Sequence, residues 1–214
     1  RGRRKRKDVV EFSRHLMDNI LLLHQELAEK TYRHGPYQAF KINDPKPMDI
    51  HKASVRDRVF HHAIYRQLYP FFNPTFIADT YSCRIEKGTH RAMNRFRVCA
   101  RKVSRNNTRT CWILKGDVKK FFASIDHAVL LDILAQHIPN LETMLLLEEV
   151  IDSFSASPPR RIRRAGNTPP SLPYDRGGTT VVSPPSLGGV RGGIGLPLGN
   201  LTSQLFVNIY MNKF

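Results

Sequence analysis

The sequence predicts an α+β fold, and three observations support this prediction. Several segments carry apolar residues at steps of three and four, which is typical of amphipathic helices. Residues 32–50 hold several Pro and Gly and are expected to form short strands and turns. A short apolar run, CWILKGD, has the length of a buried strand and ends on Asp117. We therefore expect a helical and stranded first part, followed by a small sheet with helices packed on one face.

The first helix is predicted to start at Asp8, which can serve as its N-cap. Its apolar face is formed by Val9, Phe12, Leu16, Ile20, Leu23 and Leu27. The next helix, SVRDRVFHHAIYRQLY, is opened by a capping box of Ser54 and Asp57 and is ended by Pro70. Its two histidines, His61 and His62, have no Cys or carboxylate at metal-ligand spacing, so we expect them to pack or to bond to the backbone.

A third helix is predicted from Thr89 to Val103. It carries a basic surface formed by Arg91, Arg95, Arg97, Arg101 and Lys102. After the predicted strand, apolar residues at helical spacing indicate two more helices, over residues 126–138 and 141–154. A loop containing glycine then leads into the final helix, in the segment GIGLPLGNLTSQLFVNIYMNKF.

The composition changes sharply over residues 155–193. This segment is crowded with Pro, Gly, Ser and Arg, and it contains a near-repeat, TPPSL at Thr168 and SPPSL at Ser183. Such a composition buries too little apolar surface to offset the entropy lost on ordering. We interpret it as a disordered insertion within a domain; the alternative is a basic linker with a binding role.

The charge of the chain favours a polyanionic partner. Of 214 residues, 34 are Lys or Arg and 18 are Asp or Glu, which gives a formal net charge of +16. A Lys or Arg that meets a phosphate releases a condensed counterion, so such a protein tends to bind nucleic acid. The alternative is a ribosome-like or merely soluble basic protein. The initial run RGRRKRK fits a basic arm that touches nucleic acid, with a nuclear signal as the other reading.

The cysteine count and hydropathy bear on the compartment. Three cysteines without C-x-x-C spacing predict free thiols in a reducing compartment, so we expect a cytoplasmic protein. No apolar run reaches the roughly 18 residues of a membrane span, and we expect no membrane partner.

Asp117 and Phe122 are the residues that first suggest chemistry. An acidic residue at the end of a buried strand can share a hard cation such as Mg²⁺ with a phosphate. The ring of Phe122, five residues later, could wall a sugar pocket. The alternative is an ordinary strand-ending Asp and a core Phe, because short motifs often match by chance.

Three blocks of sequence together resemble the reverse transcriptases of bacterial retroelements, of the group II intron-like and diversity-generating types. The blocks are RDRVFHHAIYRQLYPFFNPTFIADTYSCRIEKGTHRA, LKGDVKKFFASIDH and GLPLGNLTSQLFVNIYMN, in the order of that family. The resemblance implies the fingers and part of the palm of a right-hand polymerase. Residues 1–110 would be fingers with a basic N-terminal arm, 111–154 the first part of the palm, 155–193 an insertion, and 194–214 the continuation of the palm.

The resemblance also implies roles for individual residues. Asp117 matches the catalytic metal-binding aspartate, and Val118 would offer its backbone carbonyl to one of two Mg²⁺ ions. Phe122 matches the steric gate that selects dNTPs. The loop beside the incoming nucleotide is matched by Pro197, Leu198, Gly199 and Ser203, and we expect Gly199 to allow a close backbone approach. Either Asn200 or Thr202 is expected to cap the following helix.

Further contacts follow from the same comparison and from charge. The family usually has Arg at the position of Met48, so Lys46, Arg56 or Arg58 is expected to supply the contact to the triphosphate. Arg56 and Arg58 could equally be solvated helix charges. Residues expected to touch nucleic acid are Arg91, Arg95, Ser203 and Gln204. The implied partners are an RNA template, a DNA or RNA primer, dNTP and a structured retroelement RNA.

Two further features depart from the family pattern. Many relatives have Gln at the position of Leu198 and Pro at that of Gln204. The Tyr-x-Asp-Asp turn that completes such a palm is absent from the 214 residues, and the helix cap Asp126 is no substitute for it. We therefore expect this polypeptide alone not to polymerise DNA. The alternatives are a non-catalytic RNA-binding remnant of such an enzyme and a decayed gene product.

Overall fold

The computed structural model describes residues 5–43, 47–154 and 193–213. Over these ranges the chain is mixed α and β, as the sequence predicts. The elements are α1 (Lys7–Arg14), α2 (Leu16–Ala28), β1 (Gln38–Asn43), β2 (Pro47–Lys52), α3 (Val55–Phe72), α4 (Thr89–Val103), α5 (His127–Ala135), α6 (Leu141–Asp152) and α7 (Leu201–Met211). The two strands pair antiparallel, with Gln38 opposite Lys52 and Asn43 opposite Pro47.

The N-terminal helix differs from its prediction in two ways. It is interrupted at His15, whose φ of −118° and ψ of 41° separate α1 from α2. Asp8 is not the N-cap, because Arg6 holds that position and Asp8 lies inside the first turn. The Asp8 carboxylate instead accepts hydrogen bonds from Lys52, at 2.6 Å, and Arg58, at 3.0 Å. Its partners lie on β2 and α3, so tertiary contacts replace the local cap.

The capping box at the start of α3 is confirmed. The Asp57 backbone N–H donates to the Ser54 hydroxyl at 3.1 Å, and that hydroxyl donates to the Asp57 carboxylate at 2.7 Å. The predicted end at Pro70 is wrong, because α3 continues to Phe72 with Pro70 inside its last turn. A proline so close to the end removes one helical hydrogen bond, and Phe72, only 2% exposed, anchors the final turn in the core.

The core is built on a stripe of α3 side chains spaced four residues apart: Phe60, Ile64, Leu68 and Phe72. Helix α3 packs on α7, α7 packs on α5, and α5 packs on α6. These helices bury Leu130, Ile133, Leu134, Leu147, Val150, Ile151, Leu205, Phe206 and Ile209. The single cluster draws on residues from both predicted polymerase regions, whose boundaries stay a prediction.

The later helices follow the sequence prediction closely. The range of α4 is confirmed at both ends, and none of its residues is buried. Helices α5 and α6 are confirmed and are shorter than predicted. Asp126 caps α5 by accepting from the Val129 N–H at 3.2 Å, which confirms its expected role.

The predicted strand at CWILKGD is wrong. Residues 111–118 have no regular structure, and Trp112 and Leu114 are 96% and 97% exposed. A strand needs a neighbour to pair its backbone N–H and C=O groups, and the described ranges offer none to this segment. The apolar composition alone was therefore insufficient to form the strand.

The predicted insertion, residues 155–193, lies outside the described residues except for Gly193. The described helices include none with both the length and the apolar character that crossing a bilayer requires.

Candidate functional site

The loop that leads into α7 brings the predicted motif blocks together. On one side, the Leu196 N–H donates to the Phe122 carbonyl at 2.7 Å, and the Gly195 N–H donates to the Ile125 carbonyl at 2.8 Å. Phe122 lies in a short 3-10 turn, Phe121–Ser124, and packs half-buried against the core. The second and third sequence blocks are thus joined by backbone hydrogen bonds.

On its other side, the same loop pairs with the free edge of β2. The His51 N–H donates to the Leu198 carbonyl at 3.0 Å, and the Asn200 amide donates to the His51 carbonyl at 2.9 Å. Gly199 adopts a φ of +106°, and a Cβ at this position would lie 3.0 Å from a methyl group of Ile50. Glycine is therefore needed here for its positive φ and for a close backbone approach. The neighbour that it approaches is β2, whereas the sequence-based prediction placed the loop beside a nucleotide.

Asn200 holds the N-cap position of α7 but makes no cap hydrogen bond. Its amide is used on His51 and, at 3.5 Å, on the Pro197 carbonyl. Thr202, the other predicted cap, instead shares a hydrogen bond of 3.1 Å with His61. The two polar side chains that the sequence assigned to a local cap both make long-range contacts.

Three predicted binding residues share one cavity of about 420 Å³. Arg58 on α3, Gly199 in the loop and Gln204 on α7 line it, together with Val9, Val55, Val59, His61, His62, Asn200 and Leu201. Within the loop itself, Pro197 is buried and Leu198 is half-buried. The cavity places Arg58 and the exposed Gly199 beside the same space.

Both arginines proposed for the triphosphate already have carboxylate partners. Arg58 pairs with Asp8, and Arg56 pairs with Glu26 and, at 3.0 Å, with Asp57. Arg56 also lies over the Tyr32 ring, 4.7 Å from its centroid. Both side chains are partly buried and ion-paired, so they are not the solvated helix charges of the alternative prediction. Their contact with a nucleotide stays a prediction. Lys46 lies outside the described residues.

Asp117 and Val118 are exposed in the irregular segment that follows Leu114. The Asp117 carboxylate has no hydrogen bond or ion pair within the described ranges. Nor do any three Asp, Glu, His or Cys side chains converge on a metal position in that part of the chain. One free carboxylate suits a Mg²⁺ ion held mainly by substrate phosphates, but the described residues supply no second carboxylate beside it.

The residues predicted to touch nucleic acid fall into two groups. Arg91 and Arg95 are exposed on α4, where Arg95 forms a two-pronged ion pair with Asp79 and Arg91 donates to the Glu86 carbonyl at 2.8 Å. Ser203 is only 2% exposed, so in this arrangement its side chain packs in the core and is closed to nucleic acid.

A dense basic segment, residues 97–120, was only partly anticipated. Its exposed cations are Arg97, Arg101, Lys102, Arg105, Arg109, Lys115, Lys119 and Lys120, and Asp117 is its one acidic residue. None of these cations forms an ion pair in the described part of the chain. The sequence prediction named only the part of this surface that lies on α4.

A buried carboxylate, Asp57, organises the residues beneath the hairpin. It is 0% exposed and accepts from Tyr32, at 2.9 Å, from Ser54 and from the Gly35 N–H, at 3.2 Å. Burial by itself raises the pKa of Asp57, but the Ser54 and Tyr32 hydrogen bonds and the charges of His34 and Arg56 outweigh it and lower the pKa. Burial and the Asp57 charge raise the pKa of Tyr32.

A chain of hydrogen bonds links this region to α7. The His34 Nδ1 donates to the Gly35 carbonyl at 2.6 Å, which leaves its Nε2 to accept from His61 Nε2 at 3.0 Å. With its Nε2 donating, the His61 Nδ1 accepts from the Thr202 hydroxyl. His61 is 2% exposed, as its predicted packing role requires, and burial followed by the nearby His34 lowers its pKa to about 4.

Acidification is expected to destabilise the fold through His61. Its pKa is about 4 when folded and about 6.5 in an unfolded chain, so the unfolded state takes up a proton first as the pH falls. The free energy of unfolding should therefore drop by about 3 kcal/mol between pH 6.5 and pH 4. Urea unfolding of the wild type and His61→Gln across this range measures the effect as a difference.

The exposed neighbour His62 supplies the matched control. His62→Gln should follow the wild-type pH profile, because this side chain is exposed and takes no part in the buried chain of hydrogen bonds. Parallel profiles for the wild type and His61→Gln would contradict the prediction.

Sequence reasoning missed a second buried histidine, His127. Its Nδ1 lies 3.0 Å from the Asp152 carboxylate and its Nε2 lies 2.6 Å from the Gly195 carbonyl. A Cβ on Gly193 would lie 2.3 Å from this ring, so glycine is needed there. His127 thus joins the end of α6 to the loop before α7. The only hint in the sequence was the pair of glycines, Gly193 and Gly195, which allows a side chain such as that of His127 to lie close to the backbone.

Comparisons with known proteins do not establish a family for the chain. No family model matches the chain. Among curated proteins, the chain is similar to Protein YkfC of Escherichia coli (strain K12), with 24% identity over 201 residues. The match covers 91% of this chain and 44% of that protein, so the chain spans less than half the length of this relative.

Proposed function

We propose that the chain is part of an RNA-directed DNA polymerase of the bacterial retroelement type, acting by two-metal nucleotidyl transfer in the cytoplasm. The observation that carries this proposal is the convergence of the resembling blocks. The third block bonds to the second through the Leu196 N–H and the Phe122 carbonyl, and to the first through Thr202 and His61, so segments distant in sequence lie together. The fingers and palm assignment rests on the same resemblance.

The chain would contribute positioning and charge to this reaction. The exposed Asp117 carboxylate and the Val118 carbonyl would hold Mg²⁺, which supplies activation of the primer hydroxyl and stabilisation of the leaving pyrophosphate. Phe122 would limit space at the ribose 2′ position. The loop of residues 197–199 would lie beside the nucleotide, with Arg58 across the shared cavity. The basic segment would bind template and primer phosphates.

Primer extension by the product of the complete gene tests the proposal. With an oligo(dT) primer on poly(rA), Mg²⁺ and dTTP, we expect dTTP incorporation that chelation abolishes. The 214-residue chain alone should incorporate none, because it lacks a Tyr-x-Asp-Asp sequence. No incorporation by the complete product would contradict the proposal.

The basic segment favours a second candidate, a non-catalytic RNA-binding protein. Its eight exposed cations have no carboxylate partners in the described ranges, and each would release counterions on meeting phosphate. The same assay separates the two candidates. RNA binding with a steep dependence on salt, together with no incorporation by the complete product, would favour the binding function.

A further inference from the structure

Asn200 joins two segments that lie far apart in the sequence. Its amide donates to the carbonyl of His51, which is 149 residues away, and also approaches the Pro197 carbonyl. Asn200 is only 4% exposed, although it is polar. Buried polar groups in proteins are nearly always hydrogen-bonded. The Asn200 amide meets this requirement through backbone carbonyls.

The contact completes a small extension of the sheet. Residue His51 pairs with Ala39 through the hairpin, and its other edge faces the loop before α7. There its N–H donates to Leu198 while its C=O accepts from Asn200. Both backbone groups of His51 on the outer edge of β2 are therefore bonded to one loop. Gly199, between the two bonded residues, allows the loop to approach Ile50.

We propose that Asn200 is a positioning residue, which holds the loop of residues 197–199 onto β2 so that the hairpin and the nucleotide-facing loop move as one unit. The inference rests on the proposed polymerase function. It makes the Asn200 side chain responsible for the position of the loop relative to β2. Without this bond, the His51 carbonyl loses its partner and the loop is tied to β2 by the Leu198 carbonyl alone. A bound nucleotide would then have to order two independent segments, which weakens binding without altering the chemical step.

Amide exchange tests the coupling without any need for catalysis. In the 214-residue chain, NMR should show the His51 N–H exchanging about tenfold faster in Asn200→Ala and in Asn200→Asp. Asn200→Asp keeps the side-chain shape but cannot donate, so it separates the hydrogen bond from packing. Amides of α6 should be unchanged in both variants, which verifies that the remaining fold is intact.

A matched control lies on the same helix. The Asn208 amide donates to the Ser82 carbonyl at 3.0 Å, away from β2, so Asn208→Ala removes a similar bond and should leave His51 exchange unchanged. Wild-type exchange at His51 in both Asn200 variants would overturn the inference, whatever the enzyme does.

Steady-state kinetics of the complete gene product test whether Asn200 affects nucleotide binding. Asn200→Ala and Asn200→Asp should raise KM for dTTP about tenfold and keep kcat within about twofold, and Asn208→Ala should match the wild type. A fall in kcat with unchanged KM would contradict a positioning role and leave the polymerase proposal intact. An inactive wild type would instead overturn the proposed function, and with it the nucleotide part of this inference.

Discussion

Asp117→Asn in the complete gene product is expected to lower primer extension by about a thousandfold or more, because the loss of a metal-binding carboxylate removes several kcal/mol of transition-state stabilisation. The same change should leave the thermal stability of the chain unaltered. Asp117 is exposed and makes no hydrogen bond or ion pair within the described ranges. Activity and stability are therefore expected to separate, as measured by dTTP incorporation and by the melting temperature.

Asp126 provides the opposite case, nine residues along the same motif. Its carboxylate caps α5 through the Val129 N–H, and the sequence excludes it as a metal ligand. Asp126→Ala should cost about 1 kcal/mol of stability and leave extension near the wild-type rate. Full activity in Asp117→Asn would remove this residue from the proposed mechanism.

Asp57→Ala is expected to destabilise the fold by about 3–5 kcal/mol, a large fraction of the stability of a typical domain. The carboxylate is fully buried, and its removal leaves Tyr32, Ser54 and the Gly35 N–H without their acceptor. Arg56 would lose one of its two carboxylate partners. Urea unfolding followed by circular dichroism measures the change.

Asp79 is a close chemical match in an exposed setting. It too accepts hydrogen bonds from an arginine, Arg95, and a tyrosine, Tyr81, but water can replace the partners that it loses. Asp79→Ala should leave the unfolding midpoint unchanged. Equal effects of the two substitutions would show that burial of the Asp57 network contributes nothing.

Local patterns allowed much of the fold to be predicted from the sequence. The range of α4, the Ser54–Asp57 capping box and the Asp126 cap each depend on residues within a few positions of one another. Hydrophobic periodicity identified the core helices because the buried face of a helix repeats every three to four residues. The continuation past Pro70 was missed, since packing of Phe72 in the core outweighed the local preference for a helix end. The break at His15 was also missed.

The candidate site could be predicted only in part. The motif blocks pointed to Phe122 and Gly199, and Arg58 was one of three charges proposed for the triphosphate. The structure places Gly199 and Arg58 in one cavity and bonds the loop to Phe122. The failure at CWILKGD has a simple cause: an apolar run forms a strand only where another strand pairs with it.

The sequence by itself determined most of the helices, the Ser54–Asp57 and Asp126 caps, the basic character of the chain and the order of its motif blocks. Tertiary structure alone decided the partners of Asn200, His61 and His127. Asn200 bonds to His51 across 149 residues, and His61 meets Thr202 across 141. A cap or an amphipathic stripe depends on neighbouring residues, whereas these contacts depend on how α3, α7 and the hairpin pack, which no local pattern encodes.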